Sequence, residues 1–144
     1  MNIIQSQKEI LNAMLKGDRL AKFYIDEKSV FITPNGFYGF VFPVSTLQIN
    51  VNRIATVNSI CLHQIVCDDN QLKLTNELRE SGHDLLRVLK RESNEIYVNT
   101  KYLRWFQNPK FYQEKDKPES TIVITECGSD EIVGVVMPVR IKSW

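Results

Sequence analysis

The chain has few of the residues that mark a secreted, fibrous or membrane protein. It has three cysteines, six glycines and five prolines in 144 residues. The cysteines Cys61, Cys67 and Cys127 are odd in number and widely spaced, which argues against a disulfide framework and favours a reducing compartment. No apolar run approaches the roughly 20 residues that a transmembrane helix needs, and the opening residues lack signal-peptide character. We therefore expect a cytoplasmic protein with no membrane partner.

An excess of charge of one sign is also missing. The sequence has 18 Lys and Arg residues against 17 Asp and Glu residues, for a formal net charge of +1. This balance excludes a chain that wraps nucleic acid over its whole surface, although it leaves a local basic face open. A hydrophobic content of 43% is typical of a globular protein, and the length suits one domain spanning residues 1–144.

Familiar catalytic motifs are absent from the sequence. It contains no dinucleotide-binding Gly-x-Gly-x-x-Gly, no P-loop, no Gly-x-Ser-x-Gly and no His-Glu-x-x-His. The metal-like cluster is Cys61-x-His63-x3-Cys67, with His83 or Asp68 as a fourth ligand, but its spacing does not match that of zinc loops. We therefore predict a non-enzymatic protein with no metal and no cofactor. An unrelated α+β enzyme is kept as a further alternative.

The N-terminal part of the chain has the pattern of one helix followed by three strands. Ser6 is a plausible N-cap, and Gly17 marks the end of the predicted helix. Runs rich in aromatic and β-branched residues predict strands at 22–25, 29–32 and 37–42. The apolar helix positions, spaced i, i+1, i+4 and i+5, predict a stripe that packs inward: Ile10, Leu11, Met14 and Leu15.

The C-terminal part repeats this order. It predicts a strand at 95–98, a cap at Asn99, a short helix at 101–106 and strands at 110–112, 120–125 and 132–137. The hexamer Gly-Phe-Val-Phe-Pro-Val at 39–44 matches Gly-Val-Val-Met-Pro-Val at 134–139 at an offset of 95, and the helical segments match at an offset of 93.

These matches predict an α+β fold of two β-α-β-β-β repeats, with two helices packed on one face of antiparallel sheets. The half-repeats cover about 1–46 and 94–144, and the segment 47–93 between them matches neither. Within it, the pattern allows a strand at 59–66 and a hairpin between 84–89 and 96–98.

Both predicted helices carry a mildly basic polar face. These faces consist of Lys8, Asn12 and Lys16 on the first helix and of Lys101 and Arg104 on the second. A surface of this kind would contact phosphates without reading bases, so binding would be salt-sensitive and independent of sequence. An ordinary solvated helix face has the same pattern.

The residues that form these patterns resemble those of a known family. Each half is similar to a repeat of the bacterial sliding clamp, the beta subunit of DNA polymerase III. The opening residues 1–14 are similar to the clamp's first strand and helix, and Ile-Tyr-Val-Asn-Thr-Lys-Tyr-Leu at 96–103 is similar to a segment of its last domain. Val-Met-Pro-Val-Arg-Ile at 136–141 resembles the Met-Pro-x-Arg-Leu ending of clamp chains.

The resemblance implies a function in DNA replication. In that family several domains close into a ring around duplex DNA with their helices facing the phosphates, which would make Lys8, Asn12, Lys16, Lys101 and Arg104 the DNA-binding residues. The family's C-terminal segment helps to line a pocket for short hydrophobic peptides of polymerases and other replication proteins. By position, the corresponding partner-binding residues are Met137, Pro138, Val139 and Arg140.

The chain also departs from the family. A clamp chain has three such domains where this sequence has one, and Lys142, Ser143 and Trp144 follow the motif at a point where clamps end nearby. We therefore expect a non-enzymatic, clamp-like homo-oligomer, of phage or mobile-element character, that binds duplex DNA, a replication partner or both. The alternative is a clamp-fold protein-interaction module with no DNA activity.

Overall fold

A computed structural model describes residues 1–126 and 128–141 of the chain. Cys127 and the three residues that follow the C-terminal motif, Lys142, Ser143 and Trp144, lie outside the described residues. The described part is an α+β structure with one α-helix and a mixed sheet of ten strands. It has no helix that is both long and apolar enough to cross a membrane.

The elements follow one another as a helix, three strands, a long connection and seven further strands. Their bounds are α1 Ile3–Leu15, β1 Ala21–Tyr24, β2 Ser29–Thr33, β3 Tyr38–Pro43, β4 Ala55–Thr56, β5 Gln71–Ser81, β6 Asp84–Arg91, β7 Asn94–Asn99, β8 Pro109–Tyr112, β9 Ile122–Glu126 and β10 Ile132–Val136. The strand order across the sheet is β4-β1-β2-β3-β10-β9-β8-β5-β6-β7. The short β4 pairs with β1 in parallel, and the other pairs are antiparallel.

Counted from β4 in the strand order, the pair formed by β3 and β10 lies at the middle of the first eight strands. In this pair Gly39 lies opposite Val135, and Phe40 lies opposite Gly134. On one side of the pair the order is β3, β2, β1, and on the other side it is β10, β9, β8. The pairing therefore joins a strand from the first third of the chain to the last described strand.

The connecting segment contributes β5 and β6, which form a three-stranded extension at one end of the sheet together with β7 of the second half-repeat. The expected pairing of 84–89 with 96–98 is confirmed, since Leu89 lies opposite Ile96 and Arg87 opposite Val98 in β6 and β7. The strand expected at 59–66 is wrong. That stretch has no strand and contains a 3₁₀ turn at His63–Ile65, whose Ile65 packs into an apolar cluster.

Alternation along the strands places a separate apolar cluster on each face of the sheet. The larger cluster lies on the face that carries α1 and includes Phe40, Phe106, Phe111 and Ile124 together with Ile10 of the helix. The smaller cluster lies on the opposite face and is formed by Phe31, Val41, Leu62, Ile65, Tyr112, Val123, Ile132 and Val135.

The helix α1 begins earlier than the sequence predicts, and it buries a different side. Its N-cap is Asn2, whose side chain accepts a hydrogen bond from the Gln5 amide, whereas Ser6 lies buried inside the first turn. Ile10 is fully buried, but Leu11 and Leu15 are exposed, so the expected inward stripe is wrong for these two leucines. The structure also begins at the helix, with no strand before it.

The second predicted helix is wrong as well. The segment after β7 forms one 3₁₀ turn at Thr100–Tyr102, although Asn99 caps it as expected by accepting a hydrogen bond from the Lys101 amide. Two consecutive large side chains, Trp105 and Phe106, are both buried. Asn108, soon after these rings, has a φ of 44°, which is not helical, and β8 begins at Pro109, so little length is left for a helix.

The strand register also corrects the predicted equivalence of Gly39 and Gly134. Directly opposed residues of an antiparallel pair point to the same face. Gly39, opposite Val135, faces the smaller cluster, and Gly134, opposite Phe40, faces the larger one. The matching hexamers therefore place their glycines on opposite faces of the sheet.

Each of these glycines leaves room for a neighbouring group. A Cβ on Gly134 would lie 2.6 Å from Cε1 of Phe106, and a Cβ on Gly39 would lie 2.5 Å from the carbonyl oxygen of Ile32. Both distances are far below van der Waals contact. Gly134 therefore admits a ring of the larger cluster, and Gly39 admits the backbone of β2.

We predict that Gly134→Ala destabilises the protein by about 2–3 kcal/mol through overpacking against Phe106. Combining it with Phe106→Leu should recover part of that loss, since the clashing ring is removed. Gly39→Ala should gain nothing from Phe31→Leu, because the Ile32 carbonyl still blocks the new Cβ. Urea unfolding of the single and double variants measures both couplings, and additive effects for Gly134 and Phe106 would contradict the assigned packing.

Candidate functional site

The helix α1 and the segment 99–106 lie side by side on the same face of the sheet. The backbone amide of Asn2 donates to the carbonyl of Trp105 at 3.4 Å, and Nη2 of Arg104 lies 3.7 Å from Oε2 of Glu9. Polar residues from the two segments therefore meet on one surface, although about ninety positions separate them in the sequence. We call the surface formed by Lys8, Glu9, Asn12, Lys101 and Arg104 the polar surface.

Two shallow depressions make up the polar surface. The first has a volume of about 380 Å³ and is lined by Gln5, Lys8, Glu9, Asn12, Arg104 and Trp105. The second has a volume of about 270 Å³ and is lined by Glu9, Asn35, Tyr38, Lys101, Tyr102, Arg104 and Trp105. Four of the five predicted DNA-binding residues are thus brought together. The fifth, Lys16, is exposed at the C-cap of α1 and lines neither depression.

Stacked aromatic rings form the floor of the polar surface. The ring of Tyr38 is nearly parallel to those of Tyr102 and Trp105, with centroid distances of 4.3 and 5.3 Å. The Arg104 guanidinium lies 4.3 Å from the centroid of the Trp105 ring, and the Lys101 ammonium lies 5.1 Å from that of Tyr102. These cation–π contacts orient both cations. The Arg104 side chain nevertheless remains 64% exposed and can meet a ligand.

Glu9 lies at the boundary between the two depressions. Its Oε1 accepts a hydrogen bond from the Tyr38 hydroxyl at 3.1 Å. Burial raises the pKa of the Tyr38 phenol well above its ordinary value of 10.0, and the neighbouring Glu9 carboxylate raises it further. The phenol therefore stays protonated at neutral pH and holds the carboxylate in place.

The predicted partner-binding segment borders a separate groove of about 480 Å³. Pro138, Val139 and Arg140 line it, together with Glu95, Ile96, Tyr97, Pro118, Glu119 and Ile141. The Val139 amide donates to the carbonyl of Tyr97 at 2.7 Å, which fixes the segment against β7, the edge strand of the sheet.

Met137 does not line this groove. Its amide donates to the carbonyl of Phe37 at 2.8 Å, and its sulfur accepts from the Thr121 hydroxyl at 3.5 Å. Arg140 pairs with Glu119 across the groove. The structure therefore brings three of the four predicted partner-binding residues to one groove.

The cysteine and histidine residues of the metal-like cluster take part in other contacts or face solvent. Cys61 and Cys67 are free and exposed, and Nε2 of His63 lies 3.3 Å from Oδ2 of Asp26. Asp26 also accepts hydrogen bonds from two backbone amides, chiefly that of Lys28, which together with His63 lower the pKa of its carboxyl. Within 1–126 and 128–141, no three His, Cys, Asp or Glu side chains are grouped to hold a metal ion.

Comparisons with family models, curated proteins and solved structures returned no match to this chain. Functional inference therefore depends on the geometry of the polar surface and of the groove.

Tyr38→Phe gives a pH-dependent test of the buried phenol. At pH 8 the variant should be about 1 kcal/mol less stable, because the hydrogen bond to Glu9 is lost. Above pH 10 the unfolded phenol ionises while the folded one stays protonated, so the wild type loses stability as pH rises and the variant lacks this loss. Urea unfolding from pH 8 to 11 should show the gap between them shrinking. A constant gap would contradict the raised pKa.

Proposed function

We propose that this protein is a non-enzymatic, clamp-like module that binds duplex DNA through its phosphates, without reading bases, and works as a homo-oligomer. One observation carries the proposal. Lys8 and Asn12 of α1 lie on the same surface as Lys101 and Arg104 of the segment after β7. The surface carries three cations against the single carboxylate of Glu9.

The strand order supports a clamp-like arrangement of two half-repeats. The strands β1, β2 and β3 occupy places on one side of the central pair that correspond to those of β8, β9 and β10 on the other side. Each set follows a segment on the larger cluster's face, α1 in one half and the turn at Thr100–Tyr102 in the other. In the proposal, these two segments form the DNA-facing side.

The cations suit phosphate contact rather than base recognition. They are borne on two shallow depressions, where they alternate with the side chains of Glu9 and Asn12. Phosphate contacts of this kind release counterions and give affinity that falls steeply with salt. The aromatic floor supplies orientation, because Arg104 and Lys101 are held over rings while their charged groups face solvent.

A titration with labelled duplex DNA tests the proposal. With three phosphate contacts per chain, affinity should fall roughly 40-fold between 50 and 200 mM salt. Lys8→Glu combined with Lys101→Glu should abolish binding, and Lys16→Glu alone should weaken it less, since Lys16 lies outside the depressions. Fluorescence polarisation measures each affinity.

The matched control reverses the same charges elsewhere. Lys73 and Lys115 are exposed and lie away from the polar surface, so Lys73→Glu with Lys115→Glu should leave most of the affinity intact. The DNA proposal is wrong if the wild type does not bind at 50 mM salt, or if the control pair is as damaging as the test pair.

Exposed apolar side chains on α1 support the self-association part of the proposal. Ile4 and Leu15 are 75% and 79% exposed, and Leu11 lies on the same side of the helix. Aliphatic residues in such a row mark a contact surface more often than isolated ones do. Lys8 lies in the same row, four residues after Ile4, so self-association would use the end of the row at Leu11 and Leu15 and leave Lys8 open to DNA.

Light scattering should therefore give a mass above the 16.7 kDa of one chain. Encircling DNA with clamp-type domains would need about six copies in a closed ring. Ile4→Lys with Leu15→Lys should shift the protein toward monomer, and Phe37→Lys, at an exposed position in the turn between β2 and β3, should not. A wild type that stays monomeric up to high concentration would rule out the homo-oligomer, and a simple dimer would rule out the ring.

The groove beside Pro138 and Val139 favours a second candidate function. It is bordered by the edge strand β7 and contains apolar side chains, which suits an extended peptide. The second candidate is a clamp-fold interaction module with no DNA activity. Two results together would favour it: the wild type does not bind DNA at low salt, and it binds extended peptides that Val139→Asp does not bind.

A further inference from the structure

We propose that Glu9 makes the polar surface selective for anions whose charges are spaced along a chain, such as a phosphodiester backbone, over one compact anion such as free phosphate. The inference deepens the proposed function and rests on it for the identity of the ligand. The Glu9 carboxylate would then act as a filter at the centre of a cationic surface, because it repels a compact anion more than an extended one.

Glu9 lies where the two depressions of the polar surface meet. It is the one acidic residue that lines both depressions, with Lys8 and Asn12 beside it in the first and Lys101 in the second. A compact anion at the centre of the surface would meet the carboxylate. An anion in either depression alone would gain one lysine, while a chain that spans both would gain Lys8 and Lys101 together.

A hydrogen bond fixes the orientation of the Glu9 carboxylate. Oε1 accepts from the Tyr38 hydroxyl, and the Tyr38 ring is itself buried in the aromatic stack. The Glu9 side chain is 31% exposed, and the hydrogen bond from Tyr38 opposes its rotation into solvent when an anion approaches. The negative charge therefore stays at the boundary between the depressions.

Glu9 also forms an ion pair with Arg104. The two groups lie 3.7 Å apart and Arg104 is 64% exposed, which is the geometry of a weak, exchangeable surface pair. Arg104 can therefore move from the carboxylate to a phosphate while its guanidinium stays over Trp105. An anion must compete with Glu9 for this cation, and a ligand with several contacts competes better than a ligand with one.

Glu9→Gln tests the filter. The amide keeps the side-chain size and an oxygen that accepts from Tyr38, so the fold should be retained. We expect about fivefold tighter binding to duplex DNA, because one repulsive charge is removed and Arg104 is released. We also expect saturable binding of inorganic phosphate that the wild type lacks, followed by NMR through the Nε–H resonance of Arg104.

Glu80→Gln is the matched control, since it removes the same charge from an exposed position on β5. Equal tightening by Glu80→Gln would show a general charge effect and overturn the inference. Weaker DNA binding by Glu9→Gln would also overturn it, because Glu9 would then be positioning Arg104 for the ligand.

The phosphate titration separates this inference from the proposed function. If neither protein binds DNA, the proposed function is wrong, yet saturable phosphate binding by Glu9→Gln alone still supports the filter. Identical Arg104 responses to phosphate in the wild type and in Glu9→Gln would overturn the filter, whatever the result with DNA.

Discussion

The antiparallel pairing of β3 with β10 is the contact on which the other features of the molecule depend. It brings Gly134 opposite Phe40, and the space above Gly134 is filled by the ring of Phe106. Seating Phe106 there draws the segment 99–106 onto the face that carries α1. Arg104 and Trp105 then reach Glu9 and Tyr38, so the polar surface is a result of strand pairing near the middle of the sheet.

Much of the strand content could be predicted because it is encoded locally. Runs of β-branched and aromatic residues correctly indicate β2, β3, β9 and β10, and the turn residues after Arg91 correctly join β6 to β7. The start of the helix is harder to predict, since Asn2 and Ser6 are both good caps, and the tertiary hydrogen bond from the Asn2 amide to the Trp105 carbonyl, which favours the earlier start, leaves no local pattern. Likewise Leu11 and Leu15 have the spacing of core residues, yet the sheet covers the neighbouring side through Ile10 and Ala13.

The cations of the site could be selected from the sequence, but their surroundings could not. Lys8, Lys101 and Arg104 lie on predicted polar faces, whereas Tyr38 enters the site from the start of β3, far from both segments in sequence. Its contact with Glu9 depends on tertiary packing and leaves no local pattern. Tyr102 and Trp105, beside the cations Lys101 and Arg104, were the one available signal, and an aromatic residue next to each cation is a pattern that sequence reasoning could have used.

The central position of β10 also has a consequence for how the chain is made. During synthesis, β1, β2 and β3 are made before residues 132–136 exist, so β3 must wait with the N–H and C=O groups of one edge unpaired. Contacts between residues so far apart in sequence form slowly. The unfinished chain therefore presents an open sheet edge until β10 is made, and chaperone binding during that interval would protect it from pairing with a neighbouring nascent chain.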